Sequence, residues 1–127
     1  MNFKIDTKEK FTVITPIGFH LSDNITAELN ETATTCLQGD IKNVVLNMKN
    51  VVSLDEAAAT NLTTLQGSFY ENNTSFVICE IQSAVAEKLA QMELFEVLNI
   101  TPTESEAWDI VQMEEIEREL LGDDDSL

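Results

Sequence analysis

The side chains in this sequence that could do covalent chemistry are few, and their spacing suits none. His20 is the only histidine, and with no obvious nucleophile accompanying it in sequence it reads as a loop or strand-end residue before a general base. Cys36 and Cys79 are too few and too far apart for a disulfide framework or a zinc site, which leaves two buried, reduced thiols. "GDDDSL" at the C-terminus could hold a hard cation loosely but lacks the spacing of a calcium loop, so neither a metal nor a cofactor is expected. A carboxylate enzyme such as a metal-dependent hydrolase would need paired acids, a histidine cluster or a phosphate-cradling glycine loop, and none is present. One further stretch invites attention. "SLDEAAATNL", residues 53–62, stands where a strand turns into a helix, the usual place for recognition or chemistry in an α/β domain, yet it holds two acids and three alanines.

The elements that must position this junction fit one domain. The 127 residues are 43% hydrophobic, enough for a single core, and there is no run of about 18 apolar residues to cross a membrane. "MNFKIDTKEK" lacks the apolar heart of a signal peptide, so a cytoplasmic protein is expected. Twenty-three acids against seven bases give a net charge of −16, which repels nucleic acid and anionic membranes and favours a basic protein partner as well as solubility.

"FKIDTKEKFTVITPIG" reads as two strands, Phe3 to Asp6 and Phe11 to Thr15, closed by Pro16 and Gly18. A helix follows, with Ser22 or Asp23 as its cap, Ile25, Leu29, Ala33 and Cys36 or Leu37 on its apolar face, and Gly39 as a C-cap glycine. "IKNVVLNM" is a buried strand, and a second helix should run from an Asp55 cap to about Tyr70 with Glu56 in its first turn. "FVICEI" is the next strand, Ser83 can cap a third helix, and "FEVLNI" is a last short strand. Thr103 with Glu106 three residues on makes a capping box for a helix reaching Gly122. The order is β-β-α-β-α-β-α-β-α, which implies a mixed, mostly parallel sheet of about five strands with four helices in an α/β domain over residues 1–121, and an acidic flexible tail over 122–127.

In order, length and several local strings this chain resembles the STAS domain, the fold of bacterial anti-sigma factor antagonists, over roughly residues 3 to 111. "NVVLNMKNVVSLDEAAATNLTTL" is similar to the family's central strand, loop and helix beginning Asp-Ser-Ser-Gly, and "FVICEIQSAVAEKLAQMELFEVLNI" to the strand, short helix and strand that follow. "ITPIGFHLSDNITAEL" resembles the earlier strand, loop and first helix, with one residue inserted. The resemblance implies a regulator without catalytic activity that binds an anti-sigma factor or a serine kinase of the histidine-kinase-like ATPase type in a partner-switching system. In the family the kinase phosphorylates a serine at the start of the second helix, and nearly two negative charges inside the interface release the partner. The Asp-Ser-Ser-Gly motif falls here on Asp55, Glu56, Ala57 and Ala58. The phosphoacceptor position is therefore Ala57, which has no hydroxyl, and phosphorylation there is excluded.

Along the second helix Ala58, Leu62, Leu65 and Phe69 form the face expected to pack on the sheet, and Ala57, Asn61, Thr64 and Ser68 form a neighbouring stripe of small side chains. The resemblance points to that stripe, with Asp55, Glu56, Ala57, Thr60, Asn61 and Thr64, as the partner-binding surface. It holds no aromatic or arginine anchor, so anchors would come from the partner. Glu56 either imitates a phosphorylated state, placing a fixed negative charge beside the lost acceptor, or simply suits a helix's first turn. Ser53, Thr60, Thr63 and Thr64 remain as hydroxyls near the lost site, Thr60 being the nearest. Trp108, near Ile110 and Val111, is expected to serve packing rather than recognition. Met113, Ile116 and Leu120 form an apolar stripe on the last helix that lies either against its own sheet or against a second copy. The alternative to a switch is an oligomeric scaffold, or the cytosolic subunit of a stress-sensing or lipid-transport assembly.

Overall fold

A computed structural model describes residues 2–125, with side chains to residue 121. The first two strands, β1 (Phe3–Thr7) and β2 (Phe11–Pro16), form an antiparallel hairpin, in which Ile5 stands opposite Ile14. The chain then alternates: β3 (His20–Leu21), α1 (Asp23–Leu37), β4 (Asn43–Asn47), β5 (Ser53–Leu54), α2 (Glu56–Glu71), β6 (Phe76–Cys79), α3 (Ser83–Gln91), β7 (Ile100–Thr101) and α4 (Glu104–Asp125). Five strands make one mixed sheet in the order β1-β2-β4-β6-β7, parallel except for the first pair. The expected α/β fold, with a mostly parallel five-stranded sheet and four helices, is the observed one.

Both faces of the central strands are covered, which is why "NVVLN" and "FVIC" carry unbroken apolar runs. Val44, Leu46, Phe76 and Ile78 point to the larger core layer, under α1, α2 and α3. Val45, Val77 and Cys79 point the other way, with Phe11 and Val13, to meet Ala107 and Val111 of α4, with Ile110 half-buried beside them. β2 is buried along its whole length on both faces, so its alternation does not mark a solvent side. Phe69 and Phe76, ring centroids 5.3 Å apart, lock α2 onto β6 at the centre of the thicker layer.

Several local expectations need correction. Two short strands were not expected: β3 and β5 pair in parallel as a separate ribbon, His20 opposite Ser53 and Leu21 opposite Leu54. Gln82, not Ser83, occupies the N-cap of α3 and makes no side-chain cap bond, while Ser83 is already helical. Gly39 lies beyond the Gln38 C-cap and is not in the left-handed region, so it stops α1 without the conformation that favours glycine there. "FEVLNI" yields only the two-residue β7; its first residues are turn, fixed to α2 because Gln66 Nε2 donates to the Val97 carbonyl at 3.0 Å and Gln66 Oε1 accepts from Asn99 N at 2.7 Å.

The last helix starts as its sequence requires. Thr103 Oγ1 accepts from Glu106 N at 3.2 Å, and Glu80, held at φ 59° just after β6, accepts from Glu104 N at 3.0 Å. The helix continues past Gly122, and the acidic tail expected over 122–127 falls on side chains outside the described ones.

Candidate functional site

The junction at residues 53–62 is built by the β3–β5 ribbon. The Phe19 carbonyl accepts from Val52 N at 2.7 Å and from Ser53 N at 3.3 Å, and the Leu21 carbonyl accepts from Asp55 N at 3.1 Å. These bonds bring the loop before α1 against the loop before α2, so both helices start side by side at one end of the domain.

Asp55 joins the two starts. Its Oδ1 accepts from Ala58 N at 2.8 Å as the N-cap of α2, and its Oδ2 accepts from Asp23 N at 3.2 Å in the first turn of α1. A carboxylate serving two helix N-termini is favoured by both helix dipoles. Asn61, one turn and a half along α2, closes the seam by donating from Nδ2 to Asp23 Oδ1 at 2.7 Å and to Thr26 Oγ1 at 2.9 Å. Glu56 projects outward, 75% exposed, with Lys88 Nζ 3.6 Å from its carboxylate. At that exposure the pair contributes at most a few tenths of a kcal/mol.

The residues expected at the contact surface all lie on α2 or its cap, but in different situations. Ala57, Thr60 and Thr64 face solvent together with Glu56. Asp55 and Asn61 are half-buried and bonded to α1. The hydroxyls are committed to the helix itself: Thr60 Oγ1 donates to the Glu56 carbonyl at 3.1 Å, and Thr64 Oγ1 to that of Thr60 at 3.3 Å. Ala58, Leu62, Leu65 and Phe69 are buried against the sheet, as their spacing requires.

Three side chains missed in the sequence complete this end of the molecule. Phe19 is 72% exposed, Ile17 53% and Val52 44%. The first two sit in the loop before β3 and the third in the loop before β5, so the ribbon sets an apolar patch beside the Asp55 cap. The one signal was a phenylalanine between Gly18 and His20, in a loop opened by Pro16, where no partner element was evident.

His20 also has company that its sequence neighbourhood did not show. Its Nδ1 lies 2.8 Å from Ser53 Oγ, and its Nε2 is 4.0 Å from Asp55 Oδ2. The three residue types are those of a hydrolase triad, but the order is wrong for one. Asp55 is at the limit of ion-pair distance and already caps α2 while accepting from Asp23 N of α1, and the flanking N–H groups of Val52, Ser53 and Asp55 are bonded to carbonyls rather than free to hold an oxyanion. The cluster braces the ribbon. No group of three metal-ligating side chains occurs among the described residues, and the "GDDDSL" carboxylates lie outside them.

Both thiols are poorly suited to reaction. Burial pushes Cys36 above its ordinary value, and burial together with the Glu104 and Glu80 carboxylates pushes Cys79 to about 12. No helix of the described residues is long and apolar enough to cross a membrane.

Comparison with known proteins places this geometry. A Thermotoga maritima protein described as a candidate anti-sigma factor antagonist superposes with a TM-score of 0.75 at 17% identity, covering 87% of this chain and 94% of that one. An anti-sigma-factor antagonist (STAS) domain protein of Planctomyces limnophilus gives 0.73 at 18%, covering 87% and 97%. The murine Solute Carrier 26 family member A9 anion transporter gives 0.70 at 16%, covering 85% of this chain but 18% of the transporter. At such identities the likeness is one of fold. No curated protein matches by sequence. The STAS domain family model, however, matches residues 3–107, and the chain therefore belongs to the STAS domain family.

Proposed function

We propose that this STAS domain is a non-enzymatic regulator that acts in the cytoplasm as anti-sigma factor antagonists do, by binding a protein partner in a partner-switching system. The surface would be the end of the molecule where α1 and α2 begin. The observation that carries the reading is the pairing there of an exposed apolar patch, Phe19, Ile17 and Val52, with the carboxylates of Asp23, Asp55 and Glu56. Such a patch suits a partner with an apolar pocket in a basic rim. An anti-sigma factor, or a serine kinase of the histidine-kinase-like ATPase type, would meet that description. Phe19 supplies the aromatic anchor that the helix stripe lacks. Ala57, exposed in the first turn of α2, has no hydroxyl, so the partner would not be released by phosphorylation there. Ser53 and Thr60 are the hydroxyls left for such control.

The test is affinity capture of the partner from the native cell, with identification, followed by binding of the purified pair with and without ATP. Ala57→Arg and Phe19→Ser should each weaken binding about tenfold or more while leaving the thermal midpoint unchanged, since both side chains are exposed. Undiminished binding by both folded variants would remove this surface from the reading.

A second reading is an oligomeric scaffold or a cytosolic subunit of a larger assembly. It is favoured by one observation, that a domain of this fold is a small part of a transporter chain. Light scattering on the purified chain separates the two, because a strict monomer argues against the scaffold.

A further inference from the structure

The last helix is apolar on the wrong side for its own sheet. Ala107 and Val111 are buried against the strands, and further along the same face Glu114, Glu115 and Arg118 are occupied by polar contacts to the sheet and to α2. Met113, Ile116 and Leu120 are 54%, 57% and 61% exposed. At about 100° per residue their common direction lies roughly 170° around the helix from the buried face. The stripe points straight out, so packing against its own sheet is ruled out.

Its spacing, three then four residues, is that of a coiled-coil seam two turns long. The exposed charges that α4 itself carries beside it are of one sign. Glu106, Asp109, Glu117 and Glu119 are exposed around the stripe. Six of the seven basic residues lie outside α4, and the seventh, Arg118, turns inward to donate to Ser75 Oγ at 3.2 Å. A second copy placed on this seam, parallel or antiparallel, would set one acidic flank against another, between two chains of charge −16 each.

We infer that the outer face of α4 is a docking seam for a basic amphipathic helix of another protein, one with apolar residues at the same three-four spacing flanked by Lys or Arg. The seam lies across the sheet from the α1–α2 end and does not depend on the function proposed there. An occupant of this chemistry buries Met113, Ile116 and Leu120 and pairs the acidic flanks, which a second copy cannot do.

The experiment uses the full chain and two labelled synthetic helical peptides, both with leucine at the seam positions, one with lysine at the flanks and the other with glutamate. Fluorescence anisotropy should show binding of the lysine peptide and none of the glutamate peptide. Ile116→Ser/Leu120→Ser, which keeps the charge and alters only exposed side chains, should lower affinity for the lysine peptide by about tenfold or more. An unchanged melting curve verifies its fold, and Met113→Ser alone provides the same comparison should the double variant melt early. Equal binding by the serine variants would overturn the proposal, since attraction would then be charge alone. Sedimentation of the wild type as a dimer that the double variant dissolves would also overturn it, because a second copy would be the occupant.

Discussion

Asp55 shows how much of this molecule's arrangement rests on single side chains. One carboxylate caps α2 through Ala58 N and also accepts from Asp23 N at the start of α1. Asp55→Ala leaves both N–H groups without that acceptor. A lost cap alone costs about 1 kcal/mol, and the second contact moves the expected loss toward about 2 kcal/mol. Urea denaturation of the two proteins checks this, and a loss well under about 0.5 kcal/mol would mean water replaces the carboxylate without penalty. The cap was legible in advance because it is local: an acid at the end of a loop and a helical pattern behind it suffice. The apolar patch was not. Phe19 and Val52 are far apart in sequence, and only pairing of two-residue strands brings them to the same end of the domain. Strands that short leave no periodicity to read.

At the scale of elements, α4 is the instructive case. Its existence and its start were evident from Thr103 and Glu106, yet its orientation was not. Its most apolar stripe was expected to find a surface, whereas Met113, Ile116 and Leu120 are exposed, and Trp108, expected to serve packing, is still 43% exposed. What holds the second half of the helix is polar. Glu114 accepts from Tyr70 Oη at 2.8 Å and from Ser75 Oγ at 2.6 Å, while Asn43 Nδ2 donates to Glu115 at 2.8 Å. A carboxylate taking two bonds at the bottom of the sheet is not recognisable from sequence, because its partners are 39 and 44 residues away. Glu114→Ala removes the acceptor of both hydroxyls, with an expected cost of about 1–3 kcal/mol. Hydrogen exchange should accelerate in α4 before α2 in that variant. Equal protection of α4 in both proteins would show that the apolar contacts of Ala107, Ile110 and Val111 are enough to hold the helix.

The whole molecule should also respond to alkali through two weak acids that are neutral when folded, the half-buried Tyr70 and the buried Cys79. Burial, with Glu114 beside it, raises the Tyr70 phenol from 10.0 to about 12, and Cys79 is raised from 9.0 to about 12. Both groups release their protons more readily when unfolded. Their contribution is thus fully present below pH 9 and is lost as the pH climbs toward 12. Denaturation midpoints measured across that window should fall, and less steeply in Tyr70→Phe. A fall of the same slope in that variant would mean the phenol ionises as easily folded as unfolded. At this scale most of the fold was legible, since strands buried on both sides announce themselves as apolar runs and the helices between them dictate crossovers. What could not be read was the division of labour between the faces: three helices over a thick layer, one helix over a thin one.

The polar bonds under α4 have a further effect on that lone helix. Ala107 and Val111 are small and smooth, and a helix resting on them alone could rotate or slide by a turn at little cost. Glu114, Glu115 and Arg118 admit one setting only, because each must meet a particular atom of Tyr70, Ser75 or Asn43. They act as a key in a shaft: the inner contacts fix the angle of the rod, and thereby determine in which compass direction Met113, Ile116 and Leu120 are presented to whatever approaches from outside.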